Sequence, residues 1–149
     1  MSLRDATKKM SKSDPSDYSR INMTDGPDAI AQKIRKAKTD PYPLPDSLRE
    51  LDERPEALNL ITIFAALSKK DEQSVITEFA GRGFGEFKKC LADLAVETMG
   101  PIGEEMQRLM ACPDEVDTLL NVGATKAREI AEPIVKEAKE IVGFLGPRI

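Results

Sequence analysis

Between Phe84 and Leu109 the apolar side chains fall three or four residues apart, at Phe87, Leu91, Leu94, Ile102, Met106 and Leu109, with Thr98 keeping the register. That is the spacing of one face of an α-helix. A strand cannot reproduce it, because a strand presents every second residue to the same side. Gly100 and Pro101 interrupt the pattern. An interior proline costs roughly 3 kcal/mol and usually bends a helix. The pattern therefore predicts one long kinked helix rather than two separate ones.

The rest of the chain shows the same period in shorter pieces. Asp25 is a plausible N-cap, Pro27 suits a first turn and Asp28 complements the helix dipole. Ile30, Ile34 and Ala37 then share one face, and Lys33, Arg35, Lys36 and Lys38 make the remainder basic. The prolines of "TDPYPLP" (Thr39 to Pro45) end that helix. A second helix runs from about Pro55 to Ser68. Its wide apolar surface of Leu58, Leu60, Ile61, Ile63, Phe64 and Leu67 marks it as the most buried element. A shorter helix over Ser74 to Ala80 is followed by the glycine-rich "GRGFG" loop (Gly81 to Gly85). Pro113, Asp114 and Glu115 open a last region with Val116, Leu119 and Leu120 on one face. "NVGA" (Asn121 to Ala124) reads as a break, and Ala127, Ile130, Ala131, Ile134, Ala138, Ile141 and Leu145 carry the period onward, with Pro133 a second kink.

No segment alternates strictly, and none is rich in valine, threonine and aromatics between turns. Met1 to Leu3 is compatible with the end of a strand. The expected fold is all-α, an antiparallel helical bundle with an irregular N-terminal loop segment.

Composition narrows the chemistry. At 149 residues, with 40% hydrophobic and 32% charged side chains, the chain can bury a real core. No apolar run could span a bilayer, and the first residues carry no apolar stretch of a secretory signal; a cytoplasmic location and no membrane partner are expected. Histidine is absent, which removes Ser–His and Cys–His catalysis and the zincin motifs. Cys90 and Cys112 have no CxxC spacing and read as buried or half-buried thiols in a reducing compartment. No metal site is expected. The net charge of −4 does not suggest a nucleic-acid coat, though it leaves room for a local basic patch.

The stretch "KKMSKSD" (Lys8 to Asp14) serves no core. Lys9 and Lys12 place two ammonium groups three residues apart, with the hydroxyls of Ser11 and Ser13 between and after them. Lysine is a compact point charge that suits phosphate oxygens. A nucleotidyl transfer builds negative charge on departing pyrophosphate, and preorganised cations there stabilise the transition state more than the ground state. On composition alone, the ordinary reading is a solvated basic turn without a role, since lysine–serine turns are common. It is not a P-loop, because no G-x-x-x-x-G-K-[ST] occurs.

"KMSKS" (Lys9 to Ser13) resembles the second signature of the class I aminoacyl-tRNA synthetases. The surrounding Met1 to Asp40 looks like the tryptophanyl-tRNA synthetase family of bacterial and mitochondrial type, with its Ile-x-x-x-D segment at Ile21 to Asp25 and its K-I-x-x-A-x-T-D helix at Lys33 to Asp40. "RPEALNLITIFAALS" (Arg54 to Ser68) and "GATKAREIAEP" (Gly123 to Pro133) resemble that family's C-terminal half. The family's other, histidine-containing signature, its nucleotide-binding sheet and its tryptophan pocket have no counterpart here. The resemblance is therefore to a C-terminal portion beginning just before the signature loop.

It implies that residues 1–25 are the signature loop and linker of a catalytic domain, and residues 26–149 a helical anticodon-binding domain. Lys9 and Lys12 would bind ATP phosphates and stabilise departing pyrophosphate, with Lys12 the main transition-state contact. Ser11 and Ser13 would supply donors, and Met10 would pack the loop against the body. Mg2+ would accompany ATP, with no tightly bound cofactor in this chain. The partners implied are tRNA(Trp), ATP and tryptophan, in a parent homodimer. Lys126 and Arg128, after the expected break, are candidate tRNA contacts, with a solvated helix face as the alternative; the basic face of Lys33, Arg35 and Lys36 shares that ambiguity. Lys69, Lys70, Lys88 and Lys89 read as solvated. A stand-alone helical interaction module and a portion of the sister tyrosyl enzyme are the competing readings. The portion alone is expected to be inactive.

Overall fold

The structure, a computed structural model, describes residues 1–144. Among them are five α-helices and no strand: α1 (Pro27–Arg35), α2 (Pro55–Ser68), α3 (Glu72–Phe79), α4 (Phe84–Met110) and α5 (Pro113–Ile141). Short 3-10 turns lie at Asp17–Ser19 and Leu48–Leu51. The chain forms two compact units, Met1–Met106 and the residues from Gln107 onward. The expected all-helical class holds.

In the first unit, α2 has the bounds expected from sequence and buries Ala57, Asn59, Leu60, Ile61, Phe64 and Ala65. Lys69 ends it in the left-handed region at φ 57°, its amide donating to the Ala65 carbonyl. Asp71 caps α3 by accepting from the Ser74 amide at 2.7 Å, the ordinary way to satisfy a free helix N–H. The rings of Phe64, Phe79 and Phe87 meet with centroids 5.0–5.5 Å apart, knitting α2, α3 and the first turn of α4 into one core. Ile30 and Ile34 of α1 complete it, both fully buried.

α4 continues through Pro101 without interruption. Its burial fades along its length. Phe87, Leu91, Ala92 and Ala95 are fully enclosed, whereas Thr98 and Ile102 are exposed. Thr98 turns its hydroxyl onto the Leu94 carbonyl at 2.8 Å.

Several expectations need correction. Gly26, not Asp25, is the N-cap of α1; the Asp25 carboxylate is taken up by the Asn22 amide at 2.8 Å and by Lys33. Lys33 does not belong to a solvated basic face: it is 3% exposed and buried beneath that carboxylate. Lys88 is half-buried and donates to the Ala37 carbonyl at 2.6 Å and Thr39 Oγ1 at 3.1 Å. Burial pushes its ammonium below the usual lysine range. Lys70 is exposed as expected, and there it pairs with Glu78 at 2.6 Å. Cys90 is half-buried as expected, but Cys112 is exposed. Met1 to Leu3 is not a strand; Leu3 instead donates to the Ser19 carbonyl and accepts from the Lys38 amide.

In the second unit, α5 runs without a break through Asn121–Ala124 and through Pro133. A helical glycine costs only about 1 kcal/mol, too little to open a helix whose other residues favour it. No residue of α5 is buried, and Ile130, Ile134 and Ile141 are strongly exposed. Leu145 lies outside the described residues.

Candidate functional site

The loop is shaped by its own polar side chains. The Asp14 amide donates to the Ser11 carbonyl at 3.3 Å, closing a turn with Lys12 and Ser13 at its centre. The hydroxyls of Ser11 and Ser13 lie 3.0 Å apart, and the Ser13 amide approaches Ser11 Oγ at 3.4 Å. Lys9, Ser11, Lys12 and Ser13 are exposed, while Met10 is half-buried and packs against the core. One apolar side chain therefore tethers a loop that is otherwise open to water.

The lysines differ in partnership. Lys8 pairs with Asp5 at 3.1 Å. Among the described residues, Lys9 and Lys12 have no carboxylate partner. Asp5 also accepts from the Thr7 hydroxyl at 2.6 Å and the Thr7 amide at 3.2 Å. The hydroxyl hydrogen bond of Thr7, then Lys8 and the Thr7 amide, lower its pKa to about 2. Asp5 is thus occupied by Thr7 and Lys8, and Asp14, directly after the signature, accepts from the Ser16 amide at 2.8 Å, so neither carboxylate pairs with Lys9 or Lys12.

Beneath the loop lies a polar network that follows it in sequence. Arg20 Nη1 donates to the carbonyls of Asp14 at 3.0 Å and of Ser11 and Ser16 at 3.4 Å. Lys33 bridges Asp25 at 2.5 Å and Asp17 at 2.7 Å. Burial opposes the charge on Lys33, but the hydrogen bonds to Asp17 and Asp25 outweigh it and hold its pKa above the usual lysine range. The same contact with Lys33, aided by Asn22, holds Asp17 below the ordinary carboxylate range. Gly103 of α4 faces this segment. A Cβ there would stand 3.1 Å from the Met23 carbonyl oxygen and 3.4 Å from that of Asp25. The loop therefore rises from a base pinned to two helices.

Lys9 to Ser13 come together as one local cluster. Lys126 and Arg128 do not. Both are exposed on the uninterrupted α5, and two residues on a helix turn the side chain by about 200°, so they point to opposite sides rather than forming a patch. Among the described residues no group of His, Cys, Asp or Glu is arranged to hold a metal ion, and no helix is long and apolar enough to cross a membrane.

Sequence reasoning missed Arg20, Asp17 and Gly103, and set Lys33 on an outward basic face although it is buried between Asp17 and Asp25. A mid-helix glycine is a signal in itself, since it costs stability unless something needs the space. Arg20 had no comparable signal: an arginine among serines and aspartates looks like any solvated loop residue.

The sequence profile for "tRNA synthetases class I (W and Y)" matches residues 1–99. The tryptophan–tRNA ligase of Caulobacter vibrioides is 56% identical over 146 residues, covering 98% of this chain and 42% of that protein. That of Rhizobium meliloti is 54% identical, covering 97% of this chain and 41% of the relative. The crystal structure of tryptophanyl-tRNA synthetase from Mycoplasma pneumoniae shares the fold with a TM-score of 0.76 at 24% identity, over 98% of this chain and 45% of that one. The chain thus spans less than half the length of these relatives. With its signature loop raised on a helical body, and matched along nearly its whole length, the chain belongs to the class I tRNA synthetase family of the tryptophan and tyrosine enzymes, homologous to part of tryptophan–tRNA ligase.

Proposed function

We propose that this chain supplies the phosphate-binding loop and the tRNA-binding helices of a cytoplasmic tryptophan–tRNA ligase. The observation that carries the reading is the pair of exposed lysines, Lys9 and Lys12, left without carboxylate partners on a turn whose base is pinned. In the whole enzyme, tryptophan's carboxylate oxygen attacks the α-phosphorus of ATP, the bond to the bridging oxygen breaks, and pyrophosphate leaves. Lys12 meets the charge that grows on the leaving group, Lys9 holds the phosphates in the ground state, and Ser11 and Ser13 add donors. The adenylate then esterifies the 3′ end of tRNA(Trp). Mg2+ would accompany the nucleotide as part of the substrate and would help neutralise the charge of its phosphates.

Residues 1–25 act with the catalytic half of the enzyme, whose tryptophan pocket is supplied from outside this chain, and residues 26–149 act on the anticodon arm. The enzyme works as a homodimer. Since Lys126 and Arg128 lie on opposite sides of α5, they serve as separate phosphate contacts, which position tRNA without reading sequence.

The loop reading is tested on the 149-residue chain by titrating inorganic pyrophosphate and following backbone and lysine side-chain resonances. Shifts confined to Lys9 through Asp14, and abolished by Lys12→Ala, are expected. Shifts spread over surface lysines such as Lys89 and Lys139, indifferent to Lys12→Ala, would contradict it.

A further inference from the structure

The loop folds around a single guanidinium. Arg20 Nη1 converges on three backbone carbonyls spread along it, those of Ser11 (3.4 Å), Asp14 (3.0 Å) and Ser16 (3.4 Å). Its Nε donates to Asn22 Oδ1 at 3.1 Å, and Nη2 lies 3.3 Å from Asp17 Oδ1. The side chain is only 16% exposed although it sits in a surface segment. Asn22 Nδ2 in turn donates to Asp17 Oδ1 and Asp25 Oδ1. One planar fork thus ties the loop, through Asn22 and Asp17, to the Lys33 pair beneath it.

The direction of these bonds matters. The Ser11 carbonyl is the acceptor that closes the turn around Lys12 and Ser13, and it also faces Arg20. Drawing that carbonyl inward turns the residues at the centre of the turn outward. Loops lacking a core of their own open locally at little cost, and this loop has only Met10 as an apolar tether. A largely enclosed guanidinium bonded to three carbonyls supplies the restraint that apolar packing does not.

We propose that Arg20 is a positioning residue, which holds the Lys9–Ser13 loop in the conformation that presents Lys9 and Lys12 outward. Arg20 touches no substrate; it acts through the backbone of Ser11, Asp14 and Ser16. Lysine is no substitute, because an ammonium is a point donor that cannot span the carbonyls while also reaching Asn22 and Asp17. The value of this positioning to phosphate binding rests on the proposed role of the loop.

The test uses the 149-residue chain as wild type, Arg20→Ala, Arg20→Lys and Lys12→Ala, with amide hydrogen exchange and a pyrophosphate titration on each. Arg20→Ala is expected to speed exchange at the Asp14 amide by at least about tenfold, with Arg20→Lys intermediate, while Ile61 and Phe64 in α2 keep their rates. Pyrophosphate affinity should fall by about three- to tenfold in Arg20→Ala, although both signature lysines remain. Unchanged exchange at Asp14 overturns the proposal, and so does faster exchange with undiminished pyrophosphate affinity. Should Arg20→Ala also speed exchange at Ile61 and Phe64, Arg20→Lys, which keeps the charge and the stem, decides by the same two criteria. Failure of the loop's phosphate role looks different: the wild type then shows no pyrophosphate response that Lys12→Ala removes, and the Asp14 exchange rates alone support or overturn the grip of Arg20 on the loop.

Discussion

Asp5 shows how much a local hydrogen-bond set can do without burial. Its carboxylate takes the hydroxyl and the amide of Thr7 and pairs with Lys8. Each partner favours the charged form, so its pKa lies at about 2 instead of 3.8. A depressed carboxylate pKa stabilises the folded loop above the unfolded value of 3.8, and that stabilisation disappears as pH falls through about 2. Carboxyl carbon resonances should therefore give Asp5 a midpoint near 2, and Thr7→Val should move it up toward 3.8, because the Thr7 hydroxyl is the largest contributor. A Thr7→Val midpoint no different from wild type would show that Lys8 and the residue-7 amide, which valine keeps, carry the effect. Single residues were the least legible scale in the sequence. Lys33 and Lys88 both sit in runs that look like solvated basic faces, yet each ends up enclosed: Lys33 by Asp17 and Asp25, Lys88 by the carbonyl of Ala37. Residue type says what a side chain can pair with. Only the fold says which carboxylate or carbonyl arrives beside it.

At the scale of elements, helical period was a reliable guide and glycine an unreliable one. The bounds of α2 and the start of α5 follow from proline at a first turn and apolar spacing, and the structure keeps both. Gly123 was expected to break α5, but it sits inside a continuous helix with nothing within 4 Å of the place a Cβ would occupy. Gly103 looks equivalent in sequence and is the opposite case: the backbone of Met23 and Asp25 stands against it, held there by the pairing of Asp25 with Lys33. The two alanine substitutions should therefore differ in sign. Gly123→Ala should stabilise α5 by about 1 kcal/mol, slowing its amide exchange roughly fivefold. Gly103→Ala gains the same propensity but must push apart pinned backbone, for a net loss of about 1 kcal/mol in urea unfolding. Stabilisation by both would mean that the segment before α1 yields freely. Apolar period also promised more burial than appears. The stripe of α5 reads as core, yet Ile130, Ile134 and Ile141 are exposed, because a periodic face states that a helix is amphipathic without naming what it packs on.

For the whole molecule, the sequence made the helical class and the signature loop legible for different reasons. The class follows from the repeat of apolar residues every three to four positions, a physical demand on any chain. The loop's chemistry is not dictated by composition; two lysines and two serines on a turn are common, and their pairing state appears only with the fold, where Lys8 has a carboxylate and Lys9 and Lys12 do not. Of the base beneath the loop, only Gly103 left a signal, as a glycine inside a helix; Arg20 and Asp17 left none, because their type and spacing fit a solvated loop equally well, and what stands against Gly103 is set by contacts far apart in the chain. The central claim is that Lys12 stabilises the leaving pyrophosphate. It is tested most directly by placing this chain in the Caulobacter vibrioides tryptophan–tRNA ligase in place of the matching region, and measuring the single-turnover rate of tryptophanyl-adenylate formation with and without Lys12→Ala. Loss of one such preorganised contact should slow that step about a hundredfold, a loss of roughly 3 kcal/mol, with tryptophan binding unchanged. In the same chimera, Lys126→Ala with Arg128→Ala should leave the rate untouched. A Lys12→Ala enzyme that forms adenylate as fast as the unsubstituted chimera would contradict the account.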